Sequence, residues 1–167
     1  MMAELTTNLN YLQPTGFKVS IDRENYPNLE FFCQGVSHPD VTLAAGEMPF
    51  RKIRNIPIPG GELDFGELTL DTIVDEDMEA YKEMNDWMRR ILNNPLLGPL
   101  DRSDTAVPST ADITLSVLNS HNNKTRTIRY QQCTPTTLGG IQFTSTASGT
   151  EYLTCQMSFR FIDFELV

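Results

Sequence analysis

The sequence predicts a mainly β protein: an antiparallel β-sandwich or barrel with one flanking α-helix. Apolar and polar residues alternate through most of the chain, which is typical of half-buried strands. A single internal segment instead repeats its apolar residues every three or four positions, as an amphipathic helix does. Strands on both sides of one helix favour an antiparallel sheet with the helix packed on its flank.

The length and composition of the chain are those of one globular domain. It has 167 residues, of which 40% are hydrophobic and 21% are charged, so there is enough apolar material for a packed interior. We therefore expect residues 1–167 to form a single domain. Two irregular segments, the loops 38–62 and 93–110, are expected to interrupt it.

The first half of the chain contains several predicted strands. Residues 16–22 alternate between apolar and polar, residues 25–28 read as a turn, and residues 29–36 are expected to pair back on the first strand. Four prolines within residues 38–62 predict a loop there, in which residues 53–58 can form an edge strand.

A further strand over residues 66–74 is followed by the one predicted helix. Asp75 is the expected N-cap, and Asn94 with Pro95 ends the helix. Its apolar stripe consists of Met78, Tyr81, Met84, Trp87, Met88, Ile91 and Leu92. We expect this stripe to pack on the sheet with Trp87 as the anchor, the alternative being a partner-binding face.

The second half of the chain is read as strands throughout. After the loop 93–110, strands are predicted over residues 111–118, 125–133, 140–144 and 151–165. The last of these, as one continuous strand, would be roughly 50 Å long. The polar faces of the strands are rich in short hydroxyl and amide side chains, which suits either an ordinary solvated sheet or a smooth polar wall.

The charge distribution separates a basic cluster from an acidic block. The formal net charge is 13 − 22 = −9, which argues against a sequence-specific DNA reader with a basic face. Ten acids and one base lie between residues 62 and 86, directly after a short basic cluster. Complementary charges of this kind can set head-to-tail contacts between subunits, the alternative being a solvated surface. The candidate contact residues are Arg51, Lys52, Arg54, Glu62, Asp64 and Glu67.

No pattern in the sequence indicates catalysis, a cofactor or a metal site. The three cysteines and two histidines lack the spacing of metal ligands, and we expect all three thiols to be reduced and structural. Motifs for nucleophilic catalysis, phosphate binding or dinucleotide binding are not present. We expect no enzyme, no membrane span and no secretory signal.

Several of these segments occur together in one known family. They are residues 31–36, the basic residues and Pro-Gly-Gly turn of 51–61, the strand 65–70, the acids 75–77 and the helix carrying Trp87. In their order and over nearly the whole length, the chain resembles the tail-tube proteins of contractile-tailed bacteriophages, which are related to the type VI secretion tube protein.

The resemblance implies a structural virion protein of the phage tail. Its copies would form hexameric rings that stack into the tail tube, the conduit for DNA ejection, with the 38–62 loop between rings. The implied partners are further copies of the chain, the tail sheath, the baseplate and the tail terminator, with DNA only in non-specific passage. Assembly would take place in the host bacterial cytoplasm.

Two other readings remain open at this stage. The same motifs fit a tube-initiator subunit of the baseplate with the same fold. A monomeric β-sandwich that binds carbohydrate or protein through the two loops is the reading from a different class, and it predicts aromatic residues exposed in those loops.

Overall fold

The computed structural model describes residues 11–22, 25–31, 33–50, 54–93, 108–145 and 152–167. Within them the chain forms nine strands and two helices. In chain order these are β1 (Phe17–Ser20), α1 (Pro27–Phe31), β2 (Cys33–Ser37), β3 (Val41–Phe50), β4 (Arg54–Phe65), β5 (Leu68–Ile73), α2 (Glu79–Asn93), β6 (Ala111–Leu118), β7 (Lys124–Leu138), β8 (Thr154–Arg160) and β9 (Asp163–Leu166).

Seven of the strands form one antiparallel array, in the order β1-β6-β7-β8-β5-β2, with β9 also paired to β7. The array is not closed into a barrel, because its end strands β1 and β2 do not pair with each other, and it is sandwich-like, with β7 shared by its two halves. The first part of β7 pairs with β6 and β9, and its last part pairs with β8. The predicted antiparallel β architecture with a flanking helix is confirmed.

A bulge at Gln132 allows β7 to pass from one half of the sandwich to the other. Gln132 has a φ of 52°, in the left-handed region, and its backbone N–H donates to Asp112 Oδ1 at 3.0 Å. The register with β6 shifts at the same place, between Ala111 and Ile113. An extra residue of this kind bends a strand and increases its twist. The bend turns the rest of β7 towards β8.

A single hydrophobic core lies between the two halves and the helices. From the sheet it contains Val19, Leu68, Leu70, Ile113, Leu115, Ile128, Tyr130, Met157 and Phe159. The helices add Tyr26, Leu29, Ala80, Met84 and Trp87. Since the buried apolar residues of both halves form one cluster, the apolar positions of the alternating sequence pattern are those on the inner face of each strand.

The expected pairing of residues 29–36 with the first strand is wrong. β1 pairs with β6, β2 pairs with β5, and the residues before β2 form the short helix α1. Glu83 of α2 accepts hydrogen bonds from the backbone N–H groups of Asn28 (3.2 Å) and Leu29 (3.3 Å). These contacts satisfy N–H groups that a helix leaves unpaired in its first turn. A partner more than fifty residues away in the chain therefore stabilises a helix here.

The expectation of a loop over residues 38–62 is also wrong. Most of this segment is the antiparallel pair β3 and β4, which runs from Val41 opposite Phe65 to Phe50 opposite Arg54 with one register shift between Leu43 and Ala45. Prolines are tolerated in strands where the missing N–H would point away from the partner. The prolines inside this pair occupy such positions.

The C-terminal strands differ from the prediction in two places. Residues 140–144 form no strand, and the single long strand expected over 151–165 is divided into β8 and β9. The interruption at residues 161–162 lets β8 pair with β5 and β7, while β9 pairs with an earlier part of β7. The longest strand after α2 is instead β7, which runs past the predicted end at Cys133 to Leu138.

Helix α2 begins later than the sequence suggests. Its first residue is Glu79, after Met78 with a φ of 54°. Asp75 still accepts a hydrogen bond from the backbone N–H of Glu79, at 3.1 Å, so it caps the helix from four residues away. Leu92, which was assigned to the apolar stripe, is 82% exposed because it lies in the last turn of α2. Residues 94–107 of the predicted loop 93–110 lie outside the described part of the chain.

Candidate assembly interface

Strands β3 and β4 form a hairpin that extends away from the rest of the domain. They pair with each other as a separate two-stranded sheet. Every described side chain of β3 is exposed, and so are most of those of β4. A two-stranded hairpin with no further support is marginally stable at best in water. The hairpin therefore calls for another surface that covers it.

Six large apolar side chains are exposed on this hairpin. Three lie near its base: Val41 (44% exposed), Leu43 (52%) and Leu63 (59%). Three lie nearer its tip: Met48 (55%), Ile56 (41%) and Ile58 (38%). Exposed apolar residues concentrated on one element mark interaction sites, whereas single ones scattered over a surface need no explanation. We call these two sets the basal strip and the distal strip.

Three of the predicted contact residues, Arg54, Glu62 and Asp64, lie on the described part of the hairpin, towards its opposite ends. Arg51 and Lys52 lie outside the described residues, and the backbone of Arg54 pairs with Phe50 at the tip. Glu62 and Asp64 are exposed near the base, where Asp64 lies opposite Thr42. Asp64 and Arg54 are ten positions apart along β4, a distance of roughly 30 Å. The acids and Arg54 of one hairpin are therefore too far apart to meet within the same chain.

Glu67, the remaining acidic candidate, has a partner within its own chain. Its carboxylate oxygen Oε1 lies 3.1 Å from Nε of Arg160 on β8. Both side chains are partly exposed, so the pair contributes little to stability. Glu67 lies on the outer face of the sheet and not on the hairpin.

A close backbone approach near the middle of the hairpin depends on glycine. The register shifts between Leu43 and Ala45, and Gly60 passes beside Ala44. A Cβ atom on Gly60 would lie 1.6 Å from the carbonyl oxygen of Ala44, so any side chain at this position would clash with the backbone. At the neighbouring Gly61 a Cβ would meet nothing within 4 Å. The Gly-Gly pair therefore has one structurally required member, Gly60.

A cluster of aromatic rings connects the base of the hairpin to the sheet. Phe65, the last residue of β4, lies 5.6 Å from the ring centroids of both Phe161 and Phe164. His38, in the segment before β3, packs edge-on against Phe164 at 5.2 Å. Its Nδ1 lies 2.6 Å from the hydroxyl of Tyr130, a buried residue of β7. The segment that enters the hairpin at its base and the residue that ends it there, His38 and Phe65, thus contact the same cluster.

The chemistry of this cluster favours a neutral His38. Burial lowers the pKa of His38 below its usual value and raises the pKa of the Tyr130 phenol. The Nδ1 atom of a neutral imidazole can accept a hydrogen bond from the Tyr130 hydroxyl, whereas the Nδ1 atom of a protonated imidazole cannot. This contact was not predicted from the sequence. The one feature that pointed to it is the position of His38, directly before Pro39 and at the end of a predicted strand.

The outer faces of the sandwich carry continuous rows of polar side chains. One row crosses four neighbouring strands through Ser37, Thr69, Ser158 and Thr137. Another crosses the other half through Ser20, Thr114, Arg129 and Glu165. Arg129 is further paired with Asp112 at 2.6 Å. Because the core lies between the two halves, the two rows are on opposite outer faces, and each half of the sandwich has its own polar wall.

Helix α2 is held against the sheet through Trp87, which has no exposed surface. The indole Nε1–H donates to the backbone carbonyl of Ser109 at 2.8 Å, and the ring lies 5.7 Å from that of Phe159. Its polar atom is thus satisfied although the residue is buried. The apolar stripe of the helix faces the sheet at this position.

The described residues show no group of three or more His, Cys, Asp and Glu side chains placed to hold a metal ion. Cys33, Cys133 and Cys155 are free thiols, and burial raises the pKa of Cys33 and of Cys133 to about 12. Thiols held in this state are poor nucleophiles. No helix in the described part of the chain is long and apolar enough to cross a membrane.

Comparison with solved structures shows that this fold recurs in the components of injection devices. A chain in the baseplate of the anti-feeding prophage matches with a TM-score of 0.68 and 16% identity, over 98% of this chain and 97% of that one. A chain in the terminating cap of the same device matches with a TM-score of 0.69 and 16% identity, over 100% and 97%. A chain in the sheath–tube complex of an extracellular contractile injection system, PVC, matches with a TM-score of 0.67 and 18% identity, over 95% and 93%.

Comparison by sequence gives the family directly. A search of curated proteins found no match. The family model for the phage tail tube protein matches residues 2–166, which is all of the chain except its first and last residues. A match of that extent covers the hairpin, the polar walls and helix α2 together, and the chain therefore belongs to the phage tail tube protein family.

Proposed function

We propose that this chain is the building block of a tail tube, in which copies join into hexameric rings and the rings stack. The observation that carries the proposal is the β3–β4 hairpin, which exposes the basal and distal strips and pairs with no other described strand. A surface of this kind on a structural protein is completed by a neighbouring subunit.

The edges of the sheet support ring formation. Among the described strands, β1, β2 and β9 each have a strand partner on one side only, and β1 and β2 end the main order of the array. Such edges pair with other strands unless they are protected. Joining β1 of one copy to β2 of the next closes a ring when the rotation between copies is one sixth of a turn.

The charges of the hairpin support stacking of the rings. Arg51, Lys52 and Arg54 belong to the tip in sequence, and Glu62 and Asp64 lie near the base. Since they are too distant to pair within one hairpin, they suit a contact in which the tip of one copy meets the base of another. Glu67 would stand at the edge of the same contact.

One of the two polar walls suits the lumen of such a tube. Its hydroxyl groups and paired cations offer little to phosphate, and the chain has a net charge of −9. Binding to DNA depends on unpaired Lys and Arg that displace counterions, so a surface without them lets DNA pass. The tail sheath, baseplate and terminator would be the other partners, in a virion tail assembled in the bacterial cytoplasm.

A tube-initiator subunit of the baseplate is the second candidate. It is favoured by the match to a chain in a baseplate structure. The TM-score of that match differs by only 0.01 from that of the match in the sheath–tube complex. The two candidates differ in the assembly that we expect. A main-tube subunit should form rings that stack into tubes, whereas an initiator should form single rings that do not stack further. A monomeric binding module is disfavoured, since Phe65 near the base of the hairpin packs in the aromatic cluster and is not open to a ligand.

Sedimentation and negative-stain microscopy of the purified protein test the proposal. We expect six-fold rings at low concentration and stacked tubes at high concentration or with a baseplate seed. A monomer at every concentration, with and without the seed, would contradict the proposed function. Single rings that never stack would favour the initiator.

A charge-reversal variant tests the stacking contact. Arg51→Glu, Lys52→Glu and Arg54→Glu together should abolish stacking but leave rings, because like charges across a contact oppose association. The control reverses three exposed cations outside the hairpin, Lys82, Arg89 and Lys124, and gives the same net charge. Tubes that elongate at the wild-type rate in the hairpin variant would refute the charge contact while leaving ring formation intact.

A further inference from the structure

The positions of the prolines reveal how the distal part of the hairpin can bind. Pro49, Pro57 and Pro59 lie opposite Asn55, Glu47 and Ala45, respectively. These three pairs alternate with the pairs that contain Gly46, Met48 and Phe50. In an antiparallel pair, every second residue pair exchanges hydrogen bonds and the others direct their N–H groups outward.

The outer edge of β4 is therefore almost without hydrogen-bond donors. Since proline has no N–H, the proline-containing pairs are the ones whose backbone groups point outward. Of the outward positions 55, 57 and 59 on β4, only Asn55 retains an N–H group. On β3 the outward positions are 45, 47 and 49, and Pro49 removes the donor nearest the tip. Strand addition at the β4 edge, which requires alternating donors and acceptors, is thereby blocked.

The two faces of the distal hairpin differ sharply in chemistry. One face presents Met48, Ile56 and Ile58, all more than one third exposed. The opposite face presents the prolines and a hydrogen bond from Asn55 Nδ2 to Glu47 Oε2 at 2.8 Å. Apolar surface removed from water drives association, so the distal strip is the binding face.

We infer that the distal hairpin docks face-on, with Met48, Ile56 and Ile58 against the basal strip of a second copy, and not by strand addition at the β4 edge. The basal strip is the fitting partner because Val41, Leu43 and Leu63 are equally exposed on the same kind of element. Distal strip on basal strip is a head-to-tail contact, which leaves one unused strip at each end and so continues from copy to copy. This inference rests on the proposed function and adds the mode of contact.

A pair of double variants separates the two faces. Ile56→Asp with Ile58→Asp should raise the protein concentration needed for stacking by about tenfold or more, because it places charges in the apolar contact. The matched control, Ala45→Asp with Pro57→Asp, adds two charges to the opposite face and should change that concentration less than threefold. Both variants are first checked for an unchanged domain by thermal unfolding, which the hairpin hardly influences.

Restoring the missing donors tests strand addition directly. Pro57→Thr with Pro59→Thr returns two outward N–H groups to the β4 edge. Stacking at the wild-type concentration supports face-on docking, and stacking at a clearly lower concentration shows that the edge is used and overturns it.

Cross-linking identifies the receiving surface. After assembly, the double variant Ile56→Cys with Leu63→Cys, otherwise of wild-type sequence, should give disulfide-linked oligomers on oxidation. The double variant Pro57→Cys with Leu63→Cys should not. The reverse pattern, or equal linking by both pairs, overturns the inference. If the wild-type protein itself forms no rings or tubes, the proposed function fails, whereas wild-type tubes that tolerate the Asp variants of the distal strip refute only the face-on contact.

Discussion

Trp87 stacks on Tyr26, with ring centroids 4.3 Å apart and ring planes inclined by 19°. The contact joins α2 to α1, and Phe159 covers another side of the indole from the sheet. Arg90 donates to the Tyr26 hydroxyl and holds its guanidinium carbon 5.7 Å from that ring. One tryptophan thus ties two helices to the sheet, which leaves the hairpin and the sheet edges free for other contacts.

Removing the indole should strongly destabilise the subunit. Trp87→Ala is expected to lower the free energy of unfolding by about 3–5 kcal/mol, because it leaves a large cavity between Tyr26 and Phe159. Urea denaturation of the unassembled subunit, followed by far-UV circular dichroism, measures the change. Leu92→Ala on the same helix is the control, since that side chain is 82% exposed and should alter stability by no more than about 0.5 kcal/mol. Equal losses in both variants would show that Trp87 is not the anchor.

The distant cap of α2 should contribute measurably. Asp75→Ala removes the carboxylate that accepts from the Glu79 N–H and is expected to cost about 0.5–2 kcal/mol of unfolding free energy. Asp77→Ala, in the same acidic segment, removes an exposed carboxylate and serves as the control. The same denaturation experiment compares the two, and a loss confined to Asp77→Ala would contradict the capping role.

His38 should make the stability of the subunit depend on pH. Because burial lowers the pKa of His38 in the folded protein, the unfolded chain binds the proton more readily between the folded and unfolded pKa values. Its contribution is complete above the unfolded value of about 6.5 and is lost as the pH falls through that window. We expect the thermal midpoint to decrease between pH 7 and pH 5, and to decrease less in His38→Gln. His121→Gln changes an exposed turn residue and should keep the wild-type slope.

Gly60 should matter for assembly but not for folding. Gly60→Ala places a methyl group against the Ala44 carbonyl and so must displace the two strands of the hairpin. Since β3 and β4 pair only with each other among the described strands, we expect unchanged domain stability and impaired stacking. Gly61→Ala adds the same methyl group where space is open and should stack normally. Thermal unfolding and sedimentation of both variants provide the comparison, and normal stacking of Gly60→Ala would remove the hairpin from the contact.

Local patterns predicted the elements whose environment is uniform along their length. The strand over 111–118 agrees with β6, and the apolar stripe around Trp87 marks the buried side of α2. Both are one-sided elements, so alternation or helical periodicity reports directly which side is buried. The same local rule joined β8 to β9, because alternation continues across residues 161–162 while the pairing partners change.

The candidate interface could be predicted only in part. The separation of basic and acidic residues was visible in the sequence. The turn predicted at Pro59, Gly60 and Gly61 is wrong, because these residues lie within β4. The hairpin was not, because prolines indicate a loop unless the direction of each missing N–H is known. The contact between His38 and Tyr130 was also hidden, since it joins residues ninety-two positions apart.

The sequence by itself determined which residues need burial, the one long helix and the membership of the chain in its family. Only the tertiary structure shows which strands pair, that α1 forms next to the carboxylate of Glu83, and that β3 and β4 pair as a hairpin. The physical reason is that side-chain periodicity is a local property of the chain. Strand pairing, helix capping and the position of a hairpin depend on hydrogen bonds and ring contacts between distant residues, which exist only once the chain has folded.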